Sequence, residues 1–248
     1  MRKSSWLILF LLCSFSLLAK SVPLDEFIRT VRLGSRESSF AKLDGTLQHQ
    51  RRGAERLTMP IYFGVIIRPD RTSGQIILNQ VNNCLVSQAH RLGGTSPAAS
   101  GASTTVANDA TLALFDRVGL RPSDLTLGFV FYQVIGEGEP QTLSGVVPCR
   151  VIDFRSPDQK EIIRAYISAE YCFVIKAEFF HAGEAEPYRT LECGGFTKKN
   201  DLYYVQRITV EGPGWRTRID FDQADVGSFS PADPPAGVIR QVKEEKKK

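Results

Sequence analysis

Beyond residue 40 the chain alternates apolar and polar side chains with a period of two. Ala41, Leu43, Gly45 and Leu47 interleave with Lys42, Asp44, Thr46 and Gln48. Phe63, Val65 and Ile67 follow, then Ile76, Ile77 and Leu78 beyond the turn-like run Pro69-Asp70-Arg71-Thr72-Ser73-Gly74. Successive strand residues face opposite sides of a sheet, so the pattern predicts strands with one apolar face. Residues 61–67 and 75–81 read as a hairpin, with a further strand at 84–90. In the second half, Cys149–Phe154, Ile162–Ser168, Phe173–Phe180, Arg189–Phe196, Tyr203–Val210 and Trp215–Phe221 come in succession, with turn residues between them. Phe173, Ile175, Ala177 and Phe179 oppose Lys176 and Glu178; Trp215, Thr217, Ile219 and Phe221 oppose Arg216, Arg218, Asp220 and Asp222. Alternation with one wet side and short connections is the pattern of an antiparallel meander.

The period becomes helical in two places. Leu24, Phe27, Ile28 and Val31 form one stripe after Pro23, with Asp25 and Glu26 in the first turn. A helix is predicted at 108–118, capped by Asn108 or Asp109, with Leu112, Phe115 and Val118 on one face. Between these, Gly93 to Asn108 is small, polar and featureless, and reads as a flexible loop, with a lid as the functional alternative. After a second capping signal at Ser123-Asp124, the run 125–134 is apolar at both parities: Leu125, Leu127, Phe129 and Phe131 against Gly128, Val130, Tyr132 and Val134. Read as extended, it is either a central strand covered by protein on both faces or a strand with a cavity or lipid on one. The expectation is one α+β, mainly β domain of about ten or eleven strands and two or three helices. A sheet that large curls rather than staying flat, and its helices pack on the concave side or leave a groove.

Charge first points elsewhere. The formal net charge of the 248 residues is +4. But Met1–Ser21 has a basic start at Arg2 and Lys3, an apolar run from Trp6 to Ala19, and small residues at Ala19 and Ser21. This is the layout of a secretory signal peptide, cleaved near Ala19 or Ser21, and the run is shorter than the roughly 20 residues a membrane span needs. Leu12 before Cys13 is too bulky for a lipid-attachment motif. Without this leader the 31 Lys and Arg fall to 28 against 27 acidic residues. Without the terminal Lys-Glu-Glu-Lys-Lys-Lys as well, 24 face 25. The fold is near neutral, and nucleic acid is excluded as a partner class on this ground and for want of a basic, aromatic-interleaved cluster. The expected organisation is a signal peptide at 1–21, a single domain at 22–233 and a flexible charged tail at 234–248, with the protein in the periplasm.

The order of these parts resembles the LolA-like family of outer-membrane lipoprotein-sorting proteins. The resemblance is carried by Asp124-Leu125 with the following LGFVFYQVIGEGEP, by Leu143–Phe154, by AYISAEYCFVIKAEFFHAGEAEPYRTLE, and by IDFDQADVGSFSP with its Phe229-Ser230-Pro231 exit. It spans about residues 23–233. It implies a strongly curved antiparallel half-barrel with helices over its concave face, enclosing an apolar cavity for acyl chains. The implied partners are lipoprotein acyl chains or lipid, with inner-membrane or outer-membrane proteins to load and unload them, and a monomer is expected. The arginine that fastens the lid in the best-known carriers has no assured match in this sequence, so none is carried over. On this reading Phe63, Val65, Leu127, Phe129, Phe131 and Ile175 are the candidate cavity residues. The alternative for the same fold is an envelope-sensing or regulatory interaction module.

Residues for chemistry are sparse. His49, His90 and His181 form no metal-binding pattern, and there is no nucleophile elbow or phosphate loop. Asp220 and Asp222 share a strand face and read as solvated; Trp215 reads as core. No metal, cofactor or enzymatic activity is expected. Cys84, Cys149, Cys172 and Cys193 follow the leader. Counting along the hairpins places Cys149 and Cys172 two strands apart, about 9–10 Å, beyond the roughly 7 Å a disulfide allows. Buried thiols are expected instead.

Overall fold

The computed structural model describes residues 22–33, 38–90, 103–230, 232–233 and 235–242. The expected signal peptide, residues 93–102 of the expected loop, and the end of the charged tail lie outside them.

The described chain begins with helix α1 (Leu24–Leu33) and strands β1 (Ser39–Arg51), β2 (Leu57–Ile67), β3 (Arg71–Leu78), β4 (Asn82–Ala89) and β5 (Ser103–Ala107). Helices α2 (Asp109–Arg117) and α3 (Pro122–Thr126) and a 3-10 turn (Gly128–Phe131) follow. Strands β6 (Gln133–Leu143), β7 (Val147–Arg155), β8 (Glu161–Ser168), β9 (Val174–His181), β10 (Arg189–Lys199), β11 (Leu202–Gly212) and β12 (Trp215–Ser228) complete it. All twelve strands form one open, curved antiparallel sheet in the order β5-β4-β3-β2-β1-β12-β11-β10-β9-β8-β7-β6. The first and last strands pair in its middle, from Ser39 with Ser228 to Arg51 with Trp215.

The period-two segments become strands as expected. The predicted hairpin joins Ile61 to Leu78 and Val65 to Gly74. The sheet exceeds the expected ten or eleven strands because β5 and β6 form its edges. β5 takes residues from the supposed loop and pairs Cys84 with Ala107 through Gln88 with Ser103. β6 is broken by two bulges, and its Gly136, Gly138 and Pro140 hide the alternation.

The run 125–134 is not a strand until Gln133, where β6 begins. Pro122 stands in the first turn of α3, and Asp124 accepts a hydrogen bond from the Arg121 amide, 2.6 Å, as in a capping box. Leu127 then turns left-handed, with φ of 48°, and the chain enters the 3-10 turn. Its two apolar parities reflect burial around a helical turn, not two faces of a sheet. In α2, Asn108 caps as predicted by accepting from the Thr111 amide, 2.8 Å. Thr111 and Phe115 are the buried pair, whereas Leu112 is 40% exposed.

Residues 108–132 connect one edge of the sheet to the other, so they form a strap over its inner face. That face carries one apolar core, in which Leu47, Ile76, Leu78, Ile152, Phe154, Ile163, Leu191 and Ile219 are essentially inaccessible. Phe115, Leu125 and Phe129 of the strap belong to the same core. Phe129 meets Phe154 and Phe179 edge-on, at 6.3 and 5.9 Å between ring centroids.

Polar groups fasten the strap. The buried Arg189 guanidinium of β10 donates to both oxygens of buried Asp124, 2.9 Å on one side, and to the Gly119 carbonyl, 3.3 Å. Thr217 of β12 donates to the Val118 carbonyl and bonds His49 Nδ1, 2.8 Å. Gly119, at φ of +65°, lies where any Cβ would strike the Trp215 ring within 2.5 Å. Arg121 makes a two-pronged bond to Glu161, 2.9 Å each, and Tyr188 donates to the same carboxylate. Burial alone pushes Glu161 up, but the Arg121 and Tyr188 bonds and the Arg121 charge outweigh it and hold the carboxyl below its ordinary value. Burial and the same carboxylate push the Tyr188 hydroxyl up to about 12.

Residues 235–242, expected to belong to the flexible tail, instead lie on the outer face of β1–β3, with Val238 only 1% exposed.

Two predictions follow from the fastening. Asp124→Ala leaves a buried guanidinium without its partner and should cost about 3–5 kcal/mol. Arg216→Ala, which breaks an exposed pair with Glu211, should cost less than about 1 kcal/mol. Urea unfolding of the two variants measures the contrast. Glu161 has a folded pKa below its unfolded value of about 4.3. Its stabilisation is therefore present above that value and lost as the pH falls through the folded one. The urea midpoint between pH 6 and pH 3 should fall less steeply in Glu161→Gln than in the native chain.

Candidate functional site

Between the strap and the sheet lies an apolar cavity of about 320 Å³. Its floor is formed by Phe63, Val65 and Ile67 of β2 and by Phe196 and Val205 of β10 and β11. Its roof is Val31 of α1, Leu125 of α3, Leu127, Val130 and Phe131. A second hollow of about 190 Å³ shares Phe63, Val65, Leu125, Leu127 and Val205 and runs deeper, to Leu43, Ile208 and Phe221. Phe173, Phe196, Tyr203 and the half-buried Cys172 stand on the side where the cavity reaches solvent, and Tyr203 is 47% exposed. Phe173 and Phe196 stack in parallel with centroids 5.5 Å apart, and Tyr171 and Tyr203 extend the cluster outward. Aromatic rings in this position give a large apolar surface while the tyrosine hydroxyls remain wet.

Leu127 belongs to both hollows because of its backbone. A leucine at φ of 48° carries a cost of about 1–2 kcal/mol that glycine avoids. Glycine would leave no side chain in the roof.

The polar groups of the site are few and are occupied. Arg32 of α1 donates to the carbonyls of Val130 and Tyr132, 2.8 Å each, and so ties the first helix to the roof. Burial lowers its pKa. Gln88 of β4 donates to the Gly128 carbonyl, 2.8 Å. His90 stacks on Phe131 with centroids 4.4 Å apart, and its Nε2 lies 2.8 Å from the Thr72 hydroxyl. Burial lowers the His90 pKa, outweighing the Pro69 carbonyl and the Asp70 charge that favour the imidazolium. Among the described residues, no group of three or more His, Cys, Asp or Glu could hold a metal ion.

Of the six residues expected to line a cavity, Phe63, Val65, Leu127 and Phe131 do so. Phe129 points past the cavity into the core. Ile175 lies on the outer face, beside Cys149, Val151 and Tyr166. The cause is a bulge where β8 meets β9: Tyr166 pairs with Lys176 but Ile167 with Val174, so Ile175 has no partner and the alternation slips by one. The roof latch Arg32 and the mouth residues Phe196 and Tyr203 were not among the expected site residues. Arg32 follows the α1 stripe by one position, the only sequence signal it carries. The cysteines fall as the hairpin count required, with Cys149 paired to Ser168, one residue from the expected Ile167. All four described cysteines are free. Burial pushes the Cys84 thiol to about 11 and Cys193 to about 12.

No family model matches the sequence, and no curated protein matches it either. Solved structures do match in shape. A DUF1329 family protein from Desulfovibrio piger ATCC 29098 aligns with a TM-score of 0.59 at 14% identity, over 81% of this chain and 90% of that one. A putative outer membrane lipoprotein-sorting protein domain from Vibrio parahaemolyticus aligns with a TM-score of 0.56 at 12% identity, over 82% and 91%. A LolA superfamily protein from Nitrosomonas europaea aligns with a TM-score of 0.54 at 10% identity, over 89% and 98%. No helix among the described residues is long and apolar enough to cross a membrane. At these identities the likeness speaks for architecture, and on it the chain has a LolA-like fold.

Proposed function

We propose that the protein is a non-enzymatic periplasmic carrier that holds acyl chains of lipoproteins or lipids between the strap and the concave side of the sheet. The observation that carries this reading is the apolar cavity itself, roofed by Leu127, Val130 and Phe131 over Phe63, Val65 and Val205. Each methylene moved from water into such a space gains about 0.8 kcal/mol, so a short run of acyl chain offsets the cost of association. The amino-terminal leader supports export, and a structural neighbour described as an outer membrane lipoprotein-sorting domain supports the cargo class.

Strong apolar binding requires a way out. The roof is tied at Gly128 by Gln88 and at Val130 and Tyr132 by Arg32. Opening the roof breaks these side-chain bonds and draws Phe129 away from Phe154 and Phe179, but leaves the strand pairing of the sheet intact. Loading and release then amount to a shift between roof-down and roof-up states, set by whatever binds one state better.

Native mass spectrometry of protein purified from a membrane-containing extract should show bound lipid. Protein that is always empty, and that takes up no acylated peptide, would sink the proposal. Val205→Trp fills the cavity from a half-buried position and should weaken binding of a fluorescent fatty acid at least tenfold at unchanged thermal stability. Arg32→Leu removes two bonds to the roof and should speed exchange of the same probe several-fold. Bound probe should slow alkylation of Cys172, which lines the cavity, and leave the slow reaction of Cys149, buried on the outer face, unchanged.

A further inference from the structure

The opposite face of the sheet carries a second built site. Along β1–β3 the outward positions Asp44, Tyr62, Gly64, Gln75 and Ile77 break the charged pattern of the outer face, and Tyr62, Gln75 and Ile77 are buried. What packs over them is the segment 235–242, which turns at Ala236-Gly237 and bends at Val238-Ile239, and the way it is held is specific. Gln75 clamps the backbone of Arg240, accepting from its amide at 2.6 Å and donating to its carbonyl at 2.9 Å. The Tyr62 hydroxyl donates to the Val238 carbonyl, 2.7 Å. The Arg240 guanidinium lies over the Tyr62 ring, 3.4 Å from its centroid, and makes two parallel 2.7 Å bonds to Asp44. Gly64 completes the floor: a Cβ there would come within 2.1 Å of the Val238 carbonyl.

These contacts read two things, the backbone groups of Val238 and Arg240 and a single arginine side chain. Ile239, between the two anchors, is 45% exposed. The segment adds no strand to the sheet and is held only by side chains. The groove also continues beyond it, as a hollow of about 610 Å³ bounded by Pro60, Gln80, Val81, Gln241 and Val242. We propose that the outer face of β1–β3 is a peptide-binding groove for segments with an apolar residue two positions before an arginine, and that residues 235–242 occupy it in cis as a displaceable plug. The tether gives the plug a high effective concentration, so a partner peptide enters only by matching Arg240 and reaching the unfilled hollow. An acidic residue and a tyrosine face select arginine over lysine, whose ammonium makes neither the paired bonds nor the planar stack.

The test severs the tether. A protease site placed between Ala232 and Asp233, both exposed, is cut after the full chain has folded. A fluorescein-labelled peptide with the sequence of residues 233–242 is then added. The proposal expects it to exchange with the released segment and bind at least tenfold more tightly to the cut than to the uncut chain. The same peptide with alanine or lysine for its arginine should bind at least tenfold more weakly. Gly64→Ala, whose Cβ would strike the Val238 carbonyl and crowd the Tyr62 hydroxyl beside it, should abolish binding while the thermal transition of the sheet stays cooperative. Asp44→Asn, which spares the floor, is the second variant and should lose the arginine preference. A released segment that leaves the cut chain without the peptide binding, or one that never exchanges with excess peptide, would overturn the proposal. Dimers of the uncut chain that dissolve on adding peptide would overturn the separate partner and assign the groove to a second copy.

Discussion

The structure turns on one topological constraint. β5 and β6 are separated by a single connection, yet they lie at opposite edges of a twelve-stranded sheet. The connection must therefore cross the whole inner face. It has 25 residues between Ala107 and Gln133 to do so, enough for three short helical turns but not for a layer of long helices. The backbone groups of so broken a segment cannot all be satisfied within it, and buried carbonyls without partners are costly. Side chains that reach it from the sheet and from α1 answer that need. Thr217 bonds Val118, Arg189 bonds Gly119, Gln88 bonds Gly128, and Arg32 bonds Val130 and Tyr132.

The distribution of these hooks explains where the cavity lies. The α2–α3 end is locked by the Asp124–Arg189 pair, deep among Phe179 and Trp215, and there the strap is in full contact with the core. Past Thr126 the chain is held through its carbonyls and by Phe129 in the core, while Leu127 and Phe131 line the cavity. The left-handed turn at Leu127 marks the border between the ion-paired end of the strap and the end that roofs the cavity.

The sheet was legible in the sequence because its register is enforced by a period of two over most strands, from Ala41 to Leu47 and from Trp215 to Phe221. Legibility failed where the period is broken or too short to count. Five residues of α3 and four of the 3-10 turn cannot display a 3.6-residue repeat, so the parity of Leu125, Leu127, Phe129 and Phe131 looks like a strand. The decisive signals were Pro122 and Asp124, which speak for a helix start, not a strand. One unpaired residue at the β8–β9 bulge sends Ile175 outward while Phe63 and Val65, on an unbroken strand, fall where alternation puts them. Arg32 is beyond any local pattern, since its partners lie 98 and 100 residues away. The same holds for Arg240, whose ordered role on the outer face depends on Asp44 across 196 residues.

A sheet with one covered face has an energetic problem that its composition helps to solve. Its outer face is kept wet by short-range charge pairing along and across strands: Asp153 with Arg164, Lys176 with Glu178, and Asp220 with Arg207 and Arg218. Burial pushes Asp220 up, but its two arginines outweigh it and keep its carboxyl below the ordinary value, so the pairing survives mild acid. Near neutrality of the fold follows from this local matching, and stability must come from the inner face. There the apolar walls of the cavity, which reaches solvent beside Phe173 and Tyr203, are incompletely buried, at roughly 25 cal/mol for each Å² left wet. On the carrier reading proposed above, an apolar chain covers these walls, and anything that binds the native state alone stabilises it. The same surface that weakens the inner face is then the surface that gives the cargo its affinity.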